Sequence, residues 1–381
     1  MSKITSFLFL FLGIIIFSQV PIDTAQIVVP NRINNLEAKK KPYVIMISTD
    51  GFRSDYAKKY EAKNLLQLSE SGVEASAMNP SYPSITFPNH WSLITGLVPS
   101  HHGLIDNVFY DYKRKEGYSI SKKETTEDAS WYGGTPLWAL AGKQGIVSAS
   151  LQWVGSASNA GNFRPTYYYP YHEKFNPKEK VEKVVNWLKL PEEVRPHFIT
   201  LYFPEVDAAG HHFGPDSDET ISAVHLIDDA IGNLVKKVNE LQLENVNYIF
   251  VSDHGMIKVD GDAPLEIPAM LLKKDRFDFY NSQTLLRVFV KNETEVKEVY
   301  KKLQAKKDEN YTVYLTKKMP KYLHFSSKDD RYNRIGQIIL IPKAPKIFLE
   351  KGKKTSIGKH GYDPKIVPEM KATFYAWGPV F

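Results

Sequence analysis

The sequence predicts an α/β fold of three layers, in which a mostly parallel central sheet carries helices on both faces. Continuous apolar runs, which are typical of strands buried on both faces, alternate along the chain with segments of helical periodicity. This alternation favours parallel pairing of the strands. The chain has 381 residues, 43% of them hydrophobic, which is enough to bury such a core. It contains no cysteine, so disulfide bonds make no contribution.

The individual elements follow in order along the chain. The candidate strands cover residues 43–49, 197–203, 246–252, 337–342 and 372–377. Helical spacing of apolar residues marks 56–71, which stops before Gly72, and a longer segment at about 219–241. The run 43–49, "YVIMIST", is apolar over most of its length, as expected for a central strand.

One large domain is expected after a short leader. A single lysine precedes an apolar run at 7–17, which is short for a membrane span and typical of a secretory signal peptide. We therefore interpret 1–25 as the signal peptide and the start of a linker, with an uncleaved anchor as the alternative. Residues 26–40 continue the linker, and 41–381 form the domain, with 258–354 as a smaller α+β insertion. These features predict export to a periplasm or to the medium.

The net charge of +6 comes mainly from scattered lysines, which are densest at 317–371. The sequence shows neither an arginine-rich arm nor a basic helix with interleaved aromatic residues. We therefore interpret the lysines as a solvated face and expect no binding of nucleic-acid duplexes. We also expect no integral membrane domain, and a monomer or weak dimer.

Side chains of metal-binding types fall where the predicted strands end. They are Asp50, Asp207, His211, Asp253 and His254, and "GKHGYDP" adds His360 with a glycine on either side nearby. Ligands of open α/β sheets bind at the carboxyl ends of the strands, so we expect these side chains to meet at one edge. The interval of four between Asp207 and His211 predicts that both face one ion on a tight turn. Any one of these residues by itself is more often a helix cap or a turn residue. The occurrence of all of them together, in this order, is much more specific for a metal site.

The donor types indicate which metal would bind. Oxygen and imidazole ligands in this ratio suit Zn²⁺, and the absence of cysteine excludes a structural zinc finger. Six ligands are too many for one tetrahedral ion. They suit a site for two metal ions with open positions for a substrate.

Five segments, in this order, carry a resemblance to a known family. They are "STDGFRSDY", "PSITFPNHWSLITGLVPSHHGLIDN", "YFPEVDAAGHHFGP", "VSDHGM" and "GKHGYDP". Together they resemble the nucleotide pyrophosphatase/phosphodiesterase branch of the alkaline phosphatase superfamily, from about residue 41 to the end of the chain. The most specific segment is "TFPNHWSLITG". The resemblance implies an alkaline phosphatase-like fold, two zinc ions and a threonine nucleophile.

The resemblance also implies roles for individual residues. One zinc ion would be held by Asp50, Thr86, Asp253 and His254, and the other by Asp207, His211 and His360. Thr86 would attack phosphorus and form a covalent phosphothreonyl intermediate, which water then opens. Asn107 would donate a hydrogen bond to a phosphoryl oxygen.

The chemistry requires these residue types independently. A threonine hydroxyl is a poor nucleophile at neutral pH, and coordination to Zn²⁺ stabilises its alkoxide. Pro88 suits the first turn of a helix that begins near Thr86, so that the helix N-terminus faces the phosphoryl group. Asn107 adds a neutral donor, of which a single one is typically worth about 3 kcal/mol.

The residues around Thr86 restrict the class of substrate. Sulfatases of the superfamily carry a modified Cys or Ser with a nearby Arg, whereas this chain has "TFPNH" and no Cys. A phosphomonoesterase must neutralise a second phosphate charge, and neither the Thr86 segment nor the Asn107 segment has an Arg or Lys beside these residues. Arg53 is the nearest candidate exception, and we expect it to be structural. A phosphodiester, with its single charge, therefore fits best.

Aromatic residues favour a nucleotide over a lipid. A base needs flat faces on which to stack, and Phe87, Trp153, Tyr171 and Tyr202 are the candidates. The loop between Trp153 and Tyr171 is full length, whereas lipid-preferring relatives can lose it. We therefore expect cleavage of nucleotide diesters to 5′-monophosphates. The alternatives are a phospholipid-directed phosphodiesterase similar to a lysophospholipase C or D, a phosphomonoesterase, and a non-catalytic metal-binding interaction protein.

Overall fold

The computed structural model describes residues 24–381. The apolar run 7–17 of the predicted signal peptide lies outside the described residues. From residue 24 onward, none of the helices combines the length and the apolar character needed to cross a bilayer.

Within residues 24–381, the strands form one large sheet, one smaller sheet and three short pairs. In chain order they are β1 (Ile27–Val28), β2 (Tyr43–Thr49), β3 (Gly72–Glu74), β4 (Val108–Asp111), β5 (Glu116–Ser119), β6 (Ser148–Leu151), β7 (Tyr167–Tyr169), β8 (Phe198–Phe203), β9 (Val246–Val251), β10 (Ile257–Lys258), β11 (Leu265–Glu266), β12 (Phe277–Asn281), β13 (Leu286–Val290), β14 (Tyr311–Leu315), β15 (Ile338–Pro342), β16 (Phe348–Leu349), β17 (Gly358–Lys359) and β18 (Phe374–Trp377).

The α-helices range from single turns to the long α10. They are α1 (Leu36–Lys39), α2 (Tyr56–Lys59), α3 (Lys63–Glu70), α4 (Thr86–Thr95), α5 (Pro99–His102), α6 (Lys123–Thr126), α7 (Leu137–Lys143), α8 (Pro177–Leu188), α9 (Glu205–Phe213), α10 (Asp218–Glu240) and α11 (Val296–Lys306). Local sequence explains where the longer ones begin. Asn176 and Glu179 form a capping box before α8, with Pro177 in its first turn, and Ser217 caps α10 by accepting from Thr220 N.

The large sheet has the strand order β1-β7-β6-β8-β2-β9-β18-β3. The five strands from β7 to β9 pair in parallel, whereas β1 at one edge and β18 and β3 at the other pair antiparallel. Successive residues of β2 point to opposite faces, so Ile45 and Ile47 pack with α8 and α10, while Met46 packs on the side of α4 and α7. The predicted three-layer α/β fold is confirmed.

A second sheet, in the order β12-β13-β15-β14, lies within the range 258–354 that the sequence predicts for a smaller α+β insertion. Helix α11 covers one face, where Val299 and Leu303 pack against Val288 and Leu340. On the other face, Ile339 joins the same apolar cluster as Met46 of the large sheet. The predicted strand 337–342 is β15 and therefore belongs to this second sheet.

Two segments differ from the sequence-based expectation. The predicted helix 56–71 is two helices, α2 and α3, because Glu61 between them adopts a left-handed conformation with φ of 55°. The segment 26–40, expected to be a linker, contributes β1 to the edge of the large sheet and contains α1. The side chain of Asn34 there is buried and bonds to Glu192 O, Arg195 O and Val147 N.

Candidate active site

Three neighbouring strands deliver the predicted carboxylates to one edge of the large sheet. β2 pairs in parallel with both β8 and β9, so the three strands end on the same side. Asp50 follows β2 directly, Asp253 follows β9 after one residue, and Asp207 lies on α9, which begins just after β8. Gly51 has φ of +67°, and a Cβ atom there would lie 2.9 Å from Asp207 Cα. Glycine at this turn therefore allows Asp50 and Asp207 to approach each other.

The first predicted ligand set, Asp50, Thr86, Asp253 and His254, is assembled in the structure. His254 Nε2 lies 3.4 Å from Asp50 Oδ1, 3.0 Å from Asp253 Oδ2 and 3.3 Å from Thr86 Oγ1. All four side chains are buried. His254 Nδ1 lies 2.9 Å from Gly255 O, which leaves Nε2 as the nitrogen that faces the carboxylates.

The second predicted set, Asp207, His211 and His360, lies beside the first. His211 Nε2 is 3.5 Å from Asp207 Oδ2 and 3.2 Å from His360 Nε2, and His360 Nε2 is 3.8 Å from Asp207 Oδ1. The tight turn expected for Asp207 and His211 is wrong, because both lie on α9, where residues four apart share one face. The second ring nitrogen of each histidine already has a partner, because His211 Nδ1 lies against Gly358 O and His360 Nδ1 against Ser84 O.

The two sets meet at His254 and His360, whose rings stack with centroids 3.6 Å apart. The ligand atoms of Asp207, His254 and His360 lie within 4.8 Å of one another, as do those of Asp50, Asp253 and His254. The structure thus gathers all seven predicted side chains into one cluster. His254 faces both sets, so the boundary between them is less sharp than the resemblance implies.

Negative charge is concentrated in this cluster. Asp50 Oδ1 and Asp207 Oδ1 have no hydrogen-bond donor among the residues that the structure describes, and Asp253 Oδ2 has the imidazoles of His254 and His90 beside it. Burial, together with the neighbouring Asp253 and Asp207 carboxylates, raises the pKa of Asp50 well above its usual range. Burial also acts on Asp253, but the imidazoles of His254 and His90 outweigh it and hold the pKa of this carboxyl well below its usual range. A divalent cation would offset this charge.

The imidazoles also fit a metal site. Burial and the adjacent rings of His254 and His211 hold the pKa of His360 well below its usual range. His360 is therefore neutral at physiological pH, and neutral imidazole is the form that binds metal ions. The donor set of carboxylate oxygens, imidazole nitrogens and one hydroxyl suits zinc.

Helix α4 presents its first residue, Thr86, to the cluster. His90, one turn later on the same face, lies beneath it. His90 Nε2 is 2.9 Å from Ser48 Oγ, and its Nδ1 is 2.9 Å from Thr86 O and 3.3 Å from Asp253 Oδ2. The sequence does not single out His90 from the other surface, capping or supporting histidines. Its interval of four from Thr86 is the one signal that could have done so.

Asn107, which immediately precedes β4, lies beside the start of α4. Its Oδ1 accepts a hydrogen bond from the Phe87 N–H at 3.0 Å. A backbone N–H is a donor and must face the amide oxygen, so this contact assigns the positions of Oδ1 and Nδ2. Asn107 Nδ2 has no acceptor within hydrogen-bond distance among residues 24–381. Asn107 also lines a cleft, so Nδ2 is available to a ligand.

A cleft of about 890 Å³ opens over the cluster. Phe87, which is partly buried, and Tyr171, which is 54% exposed, line it. Lys123, Glu127 and Glu173 add charged groups to its wall. Sequence reasoning missed these three residues, because each belongs to a polar segment without a recognisable motif.

Trp153 and Tyr202 also reach the cleft, but the structure corrects their predicted role as stacking faces. Trp153 is 2% exposed, and its Nε1 donates to His90 O at 3.3 Å. Tyr202 is 7% exposed, and its hydroxyl donates to Asp50 Oδ2 at 2.5 Å. Both side chains therefore support residues of the cluster, and Phe87 and Tyr171 remain as the candidate faces for a base.

Solved structures share this architecture. The murine ectonucleotide pyrophosphatase/phosphodiesterase 5 matches with a TM-score of 0.80 at 28% identity, over 89% of this chain and 88% of that chain. Its human counterpart matches with a TM-score of 0.80 at 29% identity, over 88% of each chain. The fold and the cluster at its sheet edge define a class of enzyme, the phosphoric diester hydrolases with an alkaline phosphatase-like core.

Residues 44–363 match the family model described as "Type I phosphodiesterase / nucleotide pyrophosphatase". The chain belongs to this family. A Schizosaccharomyces pombe protein named as an uncharacterized pyrophosphatase/phosphodiesterase is 32% identical over 368 residues, which cover 89% of this chain and 71% of that protein.

Longer relatives match over the same region. The rat ectonucleotide pyrophosphatase/phosphodiesterase family member 3 is 33% identical over 91% of this chain and 40% of its own length. Venom phosphodiesterase 2 of Crotalus adamanteus is 34% identical over 89% of this chain and 42% of its own length. The chain thus spans less than half the length of these two relatives.

Proposed function

We propose that this protein is a zinc-dependent nucleotide pyrophosphatase/phosphodiesterase. It hydrolyses phosphodiester or pyrophosphate bonds of nucleotides and releases nucleoside 5′-monophosphates. The observation that carries this proposal is the position of Thr86 Oγ1, at a helix start and 3.3 Å from His254 Nε2. A solved relative supports the nucleotide: the murine family member 5 has been described in complex with AMP, as an inactive variant in which a threonine is replaced by alanine.

Two zinc ions fit the cluster. Asp50, Thr86, Asp253 and His254 would hold one, and Asp207, His211 and His360 the other. Asp50 Oδ1 and Asp207 Oδ1, which lack donors among the described residues, and the neutral His360 support this assignment. When bound, the ions lower the pKa of the Thr86 hydroxyl and offset the charge of the phosphoryl group.

The residues of the chain carry the remaining steps. Thr86 Oγ1 loses its proton to solvent and forms a bond to phosphorus while the bond from phosphorus to the leaving oxygen breaks. Water then adds to phosphorus, the bond to Thr86 Oγ1 breaks, and the nucleoside 5′-monophosphate and the Thr86 hydroxyl are released. The N-terminus of α4 carries partial positive charge toward the phosphoryl group. Asn107 Nδ2 donates to a phosphoryl oxygen, and Phe87 and Tyr171 offer their rings to the base.

Charge favours a diester over a monoester. Among the described residues that line the cleft, Lys123 is the sole Lys or Arg, and it lies 3.7 Å from the Glu127 carboxylate. Arg53 is buried and pairs with Asp55 and Asp216, so it does not serve the cleft. No side chain of fixed positive charge is therefore reserved for a second phosphate charge.

Turnover of p-nitrophenyl thymidine 5′-monophosphate and of p-nitrophenyl phosphate tests this function. We expect kcat/KM to be at least about 100-fold higher for the diester, because an unpaired charge in a desolvated site costs about 2–5 kcal/mol. Preference for the monoester would refute the diesterase assignment. Absence of turnover with zinc bound would favour a metal-binding interaction protein, and turnover of lysophosphatidylcholine in place of nucleotides would favour a lipid substrate.

The hydrogen bond from Tyr202 to Asp50 gives a test of the metal site. In Tyr202→Phe, we expect zinc affinity to fall about 10- to 100-fold, because the ligand carboxylate loses its orienting donor. At saturating zinc, kcat should change little. Activity measured across a range of buffered free zinc checks this. Tyr248→Phe is the matched control, since Tyr248 is equally buried but its hydroxyl has no partner within 24–381. Equal zinc affinities in the two variants would contradict the prediction.

We also propose that the protein is exported, on the strength of the apolar run 7–17. The names of relatives, venom phosphodiesterase and ectonucleotide pyrophosphatase/phosphodiesterase, support this placement. Fractionation of the source cells, with sequencing of the mature N-terminus, tests it. Recovery of the intact chain inside the cell would contradict export.

A further inference from the structure

A buried ion pair joins the second sheet to the loop that carries Asn107. Arg287, on β13, is 0% exposed, and its Nη2 lies 3.0 Å from Asp106 Oδ2. The same nitrogen donates to Val108 O at 2.9 Å. Arg287 therefore holds the residues on both sides of Asn107 from a single nitrogen.

The carboxylate of Asp106 passes this restraint to Asn107. Asp106 Oδ1 accepts from the Asn107 backbone N–H at 2.7 Å. Asp106 Oδ2 also accepts from Ser282 Oγ at 2.6 Å. Because Asp106 is 2% exposed, water cannot easily replace either partner. The backbone of Asn107 is thus held by a network that begins in the second sheet.

This restraint of the backbone matters because, among the described residues, a single hydrogen bond holds the Asn107 side chain. Its Oδ1 accepts from Phe87 N–H at 3.0 Å, next to Thr86. That contact alone leaves the amide free to pivot about the Phe87 nitrogen, and Ile120 N–H, which donates to Asn107 O at 3.1 Å, holds only the carbonyl side of the backbone. Fixing the Asn107 backbone as well determines where Nδ2 points. A donor of this kind must lie about 2.7–3.1 Å from the developing oxyanion to be effective.

We propose that Arg287 is a positioning residue for phosphodiester cleavage. Through Asp106 and Val108, it holds Asn107 so that Nδ2 meets the phosphoryl oxygen beside Thr86. This inference rests on the proposed function. It assigns the second sheet a part in catalysis, although none of the seven predicted metal ligands comes from that sheet.

The chain contains a matched control. Arg334 is 1% exposed, and it donates from Nε to Asp111 Oδ2 at 2.8 Å and from Nη1 to Gly103 O at 2.7 Å. It anchors the same stretch of chain as Arg287, but four residues to either side of Asn107. Arg334→Lys therefore disturbs a comparable buried pair without touching the neighbours of Asn107.

The experiment measures kcat and KM for p-nitrophenyl thymidine 5′-monophosphate per folded molecule. We expect Asn107→Ala to lower kcat by about 100-fold or more. Arg287→Lys keeps the charge but not the geometry, so kcat should fall about 10- to 100-fold, as for a displacement of about 1 Å, with KM within about twofold. Arg334→Lys should leave kcat within about threefold of the unchanged enzyme.

A double variant separates positioning from folding. If Arg287 acts through Asn107, then Arg287→Lys should cause less than about a threefold further loss when Asn107 is already alanine. Full kcat in the single variant Arg287→Lys, or an undiminished further loss in the double variant, would overturn the inference. If Arg287→Lys does not fold, Ser282→Ala replaces it. We then expect an approximately threefold or larger loss of kcat that likewise vanishes in the Asn107→Ala background, and an unchanged kcat would overturn the inference.

Failure of the proposed function and failure of the positioning role would give different kinetic results. Without diester turnover by the unchanged enzyme, the proposed function itself is wrong. If the unchanged enzyme and Arg287→Lys cleave the diester equally well, only the positioning role is wrong.

Discussion

Replacement of Thr86 by alanine is expected to lower kcat by about 10⁴- to 10⁶-fold, the range seen when a covalent nucleophile is removed. The reason is that no other hydroxyl in the described structure combines a helix start with a position 3.3 Å from His254 Nε2. Six of the seven predicted ligands remain in this variant, so the metal should stay largely bound. Steady-state kinetics test the loss of kcat, and metal analysis of the same preparation tests the retention of metal.

Thr95→Ala is the matched control for this prediction. Thr95 ends the same helix, and its hydroxyl donates to Trp91 O at 2.6 Å, away from the cluster. We expect its kcat to stay within about twofold, because the loss of one such hydrogen bond costs only about 1 kcal/mol of stability. Mass spectrometry of enzyme quenched during turnover should detect Thr86 esterified to the nucleoside 5′-phosphoryl group. Undiminished turnover by Thr86→Ala would rule out this residue as the nucleophile.

Removal of metal by a chelator is expected to abolish turnover and to lower thermal stability. The carboxylates of Asp50, Asp207 and Asp253 would then face one another, with Asp50 Oδ1 and Asp207 Oδ1 lacking donors among the described residues. Restoring zinc to about 1,000 times its dissociation constant should raise the free energy of unfolding by about 4 kcal/mol. Thermal unfolding with and without zinc measures this, and metal analysis should find about two ions per molecule.

Two Asp→Asn variants, one inside the cluster and one outside it, test whether the stabilisation by zinc depends on the cluster. Asp253→Asn should lose most of the stabilisation by zinc. Asp228→Asn should lower stability without changing the response to zinc, because Asp228 is buried and bonded to Asn64 and Leu65, away from the cluster. Fewer than two ions per molecule at saturating zinc would contradict the proposed site.

Strands were predicted best where the local signal is strong. The prediction 43–49 coincides with β2, and 246–252 is one residue longer than β9. A central parallel strand is buried on both faces, so its apolar run is visible without any knowledge of its neighbours. The helix 56–71 failed because one left-handed residue, Glu61, interrupts it. Nothing in the apolar spacing reports such a residue.

Long-range contacts explain what the sequence left open at the site. The roles of Trp153 and Tyr202 depend on their hydrogen bonds to His90 and Asp50 in the folded protein. The sequence does not distinguish a buried aromatic ring of this kind from one that is exposed in the cleft. Asp106 and Arg287 are 181 residues apart, and neither belongs to a motif that would pair them. A tight turn was expected at Asp207 and His211, but both residues lie on α9. An interval of four residues fits one face of a helix as well as a turn, so the spacing could not distinguish the two.

The sequence by itself determined the α/β class, the family and the set of candidate ligands. The class and the candidate ligands could be inferred because apolar runs, and polar residues placed directly after them, are local properties of the chain, whereas the family followed from the resemblance of five short segments. Tertiary structure alone decided that His254 faces both ligand sets, that Tyr202 serves Asp50, and that Arg287 brackets Asn107. These facts depend on which surfaces meet when the sheets pack, and the free energy of that packing is shared among residues far apart in the chain.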